Sequence, residues 1–177
     1  MISFFRMPKT GSSYVHRKLR KTNIEIIEHL SVQQAQSEII ASDKVFCFVR
    51  NPYQRFHSAY NYIQCNGNGN EIDARAGHIL RQYSQRDFLE VLPILLKRHP
   101  KELKHFTPQH KWIMRNGKII VDSVGKYENI EKDYKKLKDK FGFKDVKPVF
   151  KKTEKYPVTY PELIRWNYRK DFSYFGY

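Results

Sequence analysis

Short apolar runs alternate with amphipathic stretches along the first third of the chain. The apolar runs predict strands at Ile2–Arg6, Ile24–Ile27 and Lys44–Val49. The amphipathic stretches predict helices at Ser12–Lys21, from a Ser31 cap through Ala41, and onward from Pro52. A repeated strand–loop–helix order is typical of parallel strands joined by right-handed crossovers. The pattern therefore predicts an α/β fold with a central, mostly parallel sheet flanked by helices.

The pattern is less regular in the rest of the chain. The segment Asn66–Asn70 predicts a loop within one domain, and its role as a mobile lid or a plain surface loop stays open. Helices are predicted at Ser84–Arg98, at Glu128–Phe141 with Gly142 closing it, and at Tyr160–Lys170. A turn at Asn116–Gly117 precedes a predicted strand at Lys118–Val124, and Lys144–Pro161 is predicted to be irregular.

A short polar loop, Pro8–Ser13, joins the first predicted strand to the first predicted helix. It holds one lysine, one glycine and three hydroxyl side chains. The first N–H groups of a helix are unpaired, and the helix dipole is positive at that end, so the loop is a suitable anion site. It does not match the nucleotide-binding pattern G-x-x-x-x-G-K-[ST], because its lysine precedes its glycine.

A second candidate anion site follows the buried strand Lys44–Val49. Arg50 stands directly after this strand, and ligands of open α/β sheets bind at the carboxyl ends of strands. The planar guanidinium of arginine suits a phosphate. Ser58 lies two turns into the helix that follows Pro52 and could reach the same anion.

Together the two segments resemble the sulfotransferases that use 3′-phosphoadenosine 5′-phosphosulfate (PAPS). The first resembles their 5′-phosphosulfate loop, P-K-T-G-[ST]-[ST], and the second their 3′-phosphate motif, V-R-N-P-y-x-R-x-x-S-a-y. The segments His105–Gln109, Val124–Ile130 and Tyr168–Tyr177 resemble the branch of carbohydrate sulfotransferases of the heparan 2-O type and their short bacterial relatives. The resemblance runs nearly end to end.

The resemblance implies a P-loop-NTPase-like three-layer sandwich, with residues 1–177 forming one sulfotransferase domain. It also implies transfer of a sulfuryl group from PAPS to a hydroxyl acceptor, with a carbohydrate expected. Lys9 is predicted to stabilise the leaving phosphate oxygen. The predicted cradle of the 5′-phosphosulfate is Lys9, Thr10, Gly11, Ser12 and Ser13, and that of the 3′-phosphate is Arg50 and Ser58.

Resemblance also supplies a candidate base for the acceptor hydroxyl. His29 follows the second predicted strand, where relatives carry a catalytic histidine, and histidine titrates near neutral pH. His105 is the second choice for this role. Arg55 matches the family pattern too, and an internal ion pair and a ligand contact both stay open for it.

Composition narrows the choice of partner. The 177 residues carry a formal net charge of +15, which favours a polyanionic partner. Nucleic acid, an anionic membrane and an acidic polysaccharide all fit this charge, and a solvated lysine face would also explain it. No metal-ligand cluster is evident in the sequence, so no metal is expected. No membrane span or signal peptide is evident either, so a cytoplasmic protein is expected. The two cysteines make no disulfide framework.

Two other functions stay open from the sequence. One is a P-loop kinase or related nucleotide-binding enzyme, which the misplaced lysine of the loop disfavours. The other is a basic module that binds nucleic acid without catalysis, which the net charge permits. No helix-turn-helix, zinc or RNA-sheet signature accompanies that charge.

Overall fold

The computed structural model describes residues 1–19, 22–28, 31–144 and 155–177. Its strands are β1 (Ile2–Phe5), β2 (Glu25–Ile27), β3 (Lys44–Val49), β4 (Met114–Arg115), β5 (Lys118–Ile119) and β6 (Ser123–Lys126). Its α-helices are α1 (Ser12–Leu19), α2 (Val32–Ala41), α3 (Pro52–Gln64), α4 (Glu71–Leu80), α5 (Gln85–Arg98), α6 (Gln109–Ile113), α7 (Ile130–Phe141), α8 (Pro161–Asn167) and α9 (Arg169–Phe175).

The chain divides into two compact units. The first unit comprises Met1–Arg50 and Gln109–Glu154, and the second comprises Asn51–Pro108 and Lys155–Tyr177. The expectation of a single sulfotransferase domain over residues 1–177 stays a prediction.

A parallel sheet with the strand order β2–β1–β3–β6 forms the centre of the first unit. Side chains alternate between the faces of a strand, so Phe4 and Phe46 point to one face and Phe5 to the other. On the first face Phe4 and Phe46 pack with α1 and α7. On the other face Phe5 contacts Trp112 of α6. Helix α2 is joined to α6 on this face, because the Gln36 amide donates hydrogen bonds to the carbonyls of Lys111 and Met114. Helices therefore flank the parallel sheet on both faces, and the predicted α/β sandwich is confirmed.

The second unit is helical. Aromatic side chains from α3, α5, the 3-10 turn Lys104–Phe106 and the α8–α9 junction meet in its core, among them Phe56, Phe88, Phe106 and Tyr168. The Tyr168 hydroxyl donates a hydrogen bond to the Phe106 carbonyl at 2.8 Å. Because a buried hydroxyl needs a partner, this bond fixes the end of α8 in the core.

The segment 155–160 is irregular, as predicted, and it is attached to α3. The Gln54 amide pairs with both main-chain groups of Tyr156, donating to its carbonyl at 2.8 Å and accepting from its N–H at 2.9 Å. The Thr159 N–H donates to Nε2 of His57 at 3.2 Å. Because Nε2 accepts this bond, the His57 ring is neutral in this arrangement.

Several helix ends are set by capping residues that are recognisable in the sequence. Ser31 caps α2, Asn51 caps α3 with Pro52 as its first residue, and Ser84 caps α5. Gly142 ends α7 with a φ of +67°, as predicted. The predicted end of the first helix at Lys21 lies outside the described residues.

The predicted strand at Lys118–Val124 is wrong. The turn at Asn116–Gly117 instead closes a small hairpin of β4 and β5, and the parallel strand β6 begins only at Ser123. Asp122 separates the two strands, because its main-chain N–H and its carboxylate both bond to Val45.

The predicted helix at Tyr160–Lys170 is two helices, α8 and α9, with a break at Tyr168. The Asn167 amide bonds the carbonyls of Leu163 and Leu89 at this break, and such side-chain bonds compete with helical ones. Helix α4, which the sequence interpretation missed, begins at an Asn70 cap.

Protonation of His57 is expected to destabilise the protein, since burial lowers the pKa of this histidine. The folded state then binds fewer protons than the unfolded state below the ordinary histidine pKa of about 6.5. The free energy of unfolding should therefore fall as the pH drops from about 6.5 to the lower folded pKa. Urea unfolding between these limits should show a smaller fall for His57→Gln than for the wild type. The exposed His78, replaced by Gln, is the control, and an equal fall in all three proteins would contradict the expectation.

Candidate anion-binding site

Three neighbouring strands of the parallel sheet end at one edge, and a candidate residue follows each of them. The loop that contains Lys9 follows β1, Arg50 follows β3, and Tyr127 follows β6. Parallel pairing brings these ends together although they are far apart in the sequence. This edge is also where open α/β sheets bind their ligands.

The loop after β1 has a tightly turned backbone. Lys9 and Gly11 both have positive φ, at 64° and 74°. The buried Thr10 hydroxyl donates to the Met7 carbonyl at 3.0 Å, which closes the turn. Helix α1 then begins at Ser12 with no acidic residue in its first turn. The loop therefore directs the positive end of a helix dipole towards whatever binds there.

Tyr127 stands against this loop. A Cβ built on Gly11 would lie 2.4 Å from two ring carbons of Tyr127 and 3.2 Å from Ile130. Gly11 is thus required for two independent reasons, its positive φ and the close approach of the ring.

Arg50 lies beside both features. It is only 4% exposed, and its Nη1 lies 3.4 Å from the Lys9 carbonyl oxygen. Its guanidinium carbon lies 4.5 Å from the centroid of the Tyr127 ring, which is a cation–π distance. One aromatic ring therefore contacts both the glycine of the loop and the arginine of the neighbouring strand.

Gln109 fixes the main chain of Arg50. Its Oε1 accepts the Arg50 N–H at 2.8 Å, and its Nε2 donates to the Arg50 carbonyl, also at 2.8 Å. The Gln109 side chain is fully buried. A carboxamide carries the same donor and acceptor as a peptide group, so Gln109 continues the hydrogen-bond pattern one residue beyond the end of β3.

Positive charge is concentrated at this edge of the sheet. Two cationic residues, Lys9 and Arg50, and the first turn of α1 contribute to it. Such a set of donors can bind and stabilise negative charge on phosphate or sulfate oxygens.

The structure brings some of the predicted site residues together and not others. Lys9, Thr10, Gly11, Ser12 and Ser13 form one loop and helix start, and Arg50 is within contact of that loop. Ser58 lies in the second unit, on α3, where it is 8% exposed. His29 lies outside the described residues.

His105, the alternative base, belongs to a buried polar cluster of the second unit. Its Nε2 lies 3.5 Å from Oδ1 of Asp73. Oδ2 of Asp73 accepts from the Tyr62 hydroxyl, the Asn68 N–H and the Asn70 amide. His105, with the other donors, holds the pKa of Asp73 well below its usual range, although burial opposes the shift. The Asn66–Asn70 loop is therefore anchored to a buried carboxylate.

Arg55 is buried in the second unit, as is Asp171. Burial raises the pKa of Tyr168, while Arg55 lowers it and Asp171 raises it. Arg55 is only 1% exposed, and this burial favours an internal role for it.

Sequence interpretation gave no role to Gln109 or Tyr127. Both stand in segments that resemble the family, His105–Gln109 and Val124–Ile130. Those segments were the available signal, but the contacts with Arg50 join distant parts of the chain and only the fold reveals them.

Comparison with known proteins identifies the family of this chain. A model of the sulfotransferase family matches residues 2–177. The chain belongs to the sulfotransferase family. An uncharacterised protein of Archaeoglobus fulgidus is 31% identical to this sulfotransferase over 98 residues, which are 55% of this chain and 67% of that protein. No solved structure matches the chain significantly.

Family membership supports sulfuryl transfer, the first of the three functions considered, and members usually use PAPS as the donor. Within the described parts of this sulfotransferase, no group of three or more His, Cys, Asp or Glu side chains could hold a metal ion. No described helix combines the length and the apolar character needed to cross a bilayer.

Replacing Gly11 by Ala should destabilise this sulfotransferase by about 2–5 kcal/mol, the sum of an unfavourable φ and an overlap with Tyr127. Removal of the ring by Tyr127→Ala should relieve the overlap, so the same Gly11→Ala step should then cost only about 1–2 kcal/mol. Urea unfolding of the four proteins in this cycle measures both costs. An equal cost in the two backgrounds would contradict the contact.

Proposed function

We propose that this protein is a PAPS-dependent O-sulfotransferase whose acceptor is a carbohydrate hydroxyl. The supporting observation is that, in a chain of this family, Arg50 lies against the Lys9 loop, with Nη1 3.4 Å from the Lys9 carbonyl. PAPS carries negative charge at both its 5′ and 3′ positions. Two adjacent cationic residues at one sheet edge suit such a ligand.

The proposed donor site divides between two groups of residues. Lys9, the backbone of Thr10 and Gly11, and the first residues of α1, Ser12 and Ser13, would hold the 5′-phosphosulfate. Because the Thr10 hydroxyl donates to Met7, its N–H is the donor it would offer. Arg50 and Ser58 would hold the 3′-phosphate.

The proposed reaction is an in-line displacement at sulfur. The acceptor oxygen forms a bond to sulfur while the bond between sulfur and the bridging phosphate oxygen breaks, and the acceptor proton passes to a base. Lys9 would stabilise the charge that develops on the leaving oxygen. Alignment of donor and acceptor supplies much of the remaining acceleration.

We propose His29 as the base. His105 is less suited, because it is buried beside Asp73 and that carboxylate already accepts three further hydrogen bonds. A base must reach the acceptor proton, and a histidine that anchors a buried cluster is poorly placed to do so. Loss of sulfated product in His29→Ala, with retention in His105→Ala, would support this assignment.

The acceptor is proposed to be an acidic glycan. The net charge of +15 would attract carboxylated or sulfated sugars and raise their local concentration. Acceptor turnover that declines steeply with ionic strength would agree with this choice.

Calorimetric titration with adenosine 3′,5′-bisphosphate, the desulfonated product, tests the donor assignment. We expect tight binding by the wild type, with adenosine 5′-phosphate and ATP binding at least about tenfold more weakly because each lacks the 3′-phosphate. Arg50→Ala should lose most of this preference. Equal binding of ATP, or dependence of that binding on Mg²⁺, would overturn the proposal in favour of a kinase.

Lys9→Ala should lower kcat by about 10²–10³-fold, because a donor to the developing charge acts mainly in the transition state. Affinity for adenosine 3′,5′-bisphosphate should change much less. Product formation from PAPS measures the rate, and Lys118→Ala, at an exposed lysine of the hairpin, is the matched control. A Lys9→Ala enzyme of normal kcat would remove Lys9 from the catalytic role.

A further inference from the structure

The main chain of Arg50 has an uncommon environment. Arg50 stands just beyond β3, where pairing with β6 ends at Val49 and Lys126. Its N–H and carbonyl are bonded to the side chain of Gln109 instead, in a buried setting. Buried main-chain groups need partners, so a residue at position 109 without a carboxamide would leave both groups unsatisfied.

The Arg50 side chain is also held. Its guanidinium has the Lys9 carbonyl near Nη1 and the Tyr127 ring beneath it. Gln109 fixes where the Arg50 backbone lies, and Tyr127 limits where the guanidinium can lie. The Tyr127 contact depends on the Gln109 contact, because a shift of the Arg50 backbone would carry the guanidinium away from the Tyr127 ring.

We propose that Gln109 is a positioning residue that, through Arg50, sets the preference of the site for a ligand with a 3′-phosphate. The inference rests on the function proposed above. Gln109 contacts the main chain of Arg50 and is assigned no contact with the ligand. Its effect should therefore appear in 3′-phosphate recognition and not in binding of the rest of the nucleotide.

The measured quantity is the ratio of the dissociation constants of adenosine 5′-phosphate and adenosine 3′,5′-bisphosphate, which differ only in the 3′-phosphate. Gln109→Met keeps the length of the side chain and removes both hydrogen bonds. We expect it to lower this ratio by about tenfold or more while the affinity for adenosine 5′-phosphate stays within about threefold of wild type. Gln33→Met, on the exposed surface of α2, is the matched control and should leave the ratio unchanged.

Combination with Arg50→Ala tests whether Gln109 acts through the arginine. If it does, Gln109→Met should not lower the ratio further in a protein that already lacks the Arg50 side chain. Additive losses in the double variant would overturn the proposal.

Gln109→Glu provides a test with a pH signature. Its carboxylate can accept from the Arg50 N–H but cannot donate to the Arg50 carbonyl, whereas the protonated acid can do both. Burial raises the pKa of a carboxyl at this position while the Arg50 guanidinium lowers it, so protonation is expected at the acidic end of the range tested. Relative to wild type at the same pH, the ratio for Gln109→Glu should be low at pH 8 and should recover towards pH 5.5. Gln33→Glu should show no such recovery.

The outcomes separate the two proposals. A wild-type protein that binds both nucleotides equally would overturn the donor assignment and this inference with it. A wild type that prefers the bisphosphate, with Gln109 variants that lose thermal stability but keep the full preference, would overturn only this inference. If Gln109→Met does not fold, the pH recovery of Gln109→Glu decides, and its absence is a negative result for the proposal.

Discussion

Parallel hydrogen bonding among β1, β3 and β6 is the constraint on which the candidate site depends. It places three strand ends side by side, so that the Lys9 loop, Arg50 and Tyr127 meet although they are far apart in the sequence. The sheet supplies the spacing, and the residues at its edge supply the charge. Gln109 extends this ordering by one residue beyond the strand, to the arginine itself.

Much of the first unit could be predicted because its signals are local. The apolar runs of β1 and β3 and the cap at Ser31 are contained in a few neighbouring residues each. The strand predicted at Lys118–Val124 failed because a long-range pair, Asp122 with Val45, interrupts it. Local patterns carry no information on such a pair.

The same distinction applies to the candidate site. Lys9 and Arg50 were predictable, because each follows an apolar strand and each belongs to a compact motif. The side chains that hold Arg50 were not assigned, because Gln109 and Tyr127 reach it from elsewhere in the chain. The sequence alone does not show that a glutamine or a tyrosine holds another side chain in place, because this role depends on its neighbours in the fold. Gly11 is intermediate, since a turn glycine is expected but the aromatic ring beside it is not.

The pairing of β3 with β6 has a consequence for biosynthesis. Phe46 pairs with Ser123, so the second-unit residues Asn51–Pro108 are synthesised between the two strands. During translation, the Lys9 loop and Arg50 leave the ribosome long before the residues that orient them. Arg50 acquires its contacts with Gln109 and Tyr127 only when both residues have emerged and β6 has docked on β3, which makes completion of this end of the sheet a late, non-local step of folding.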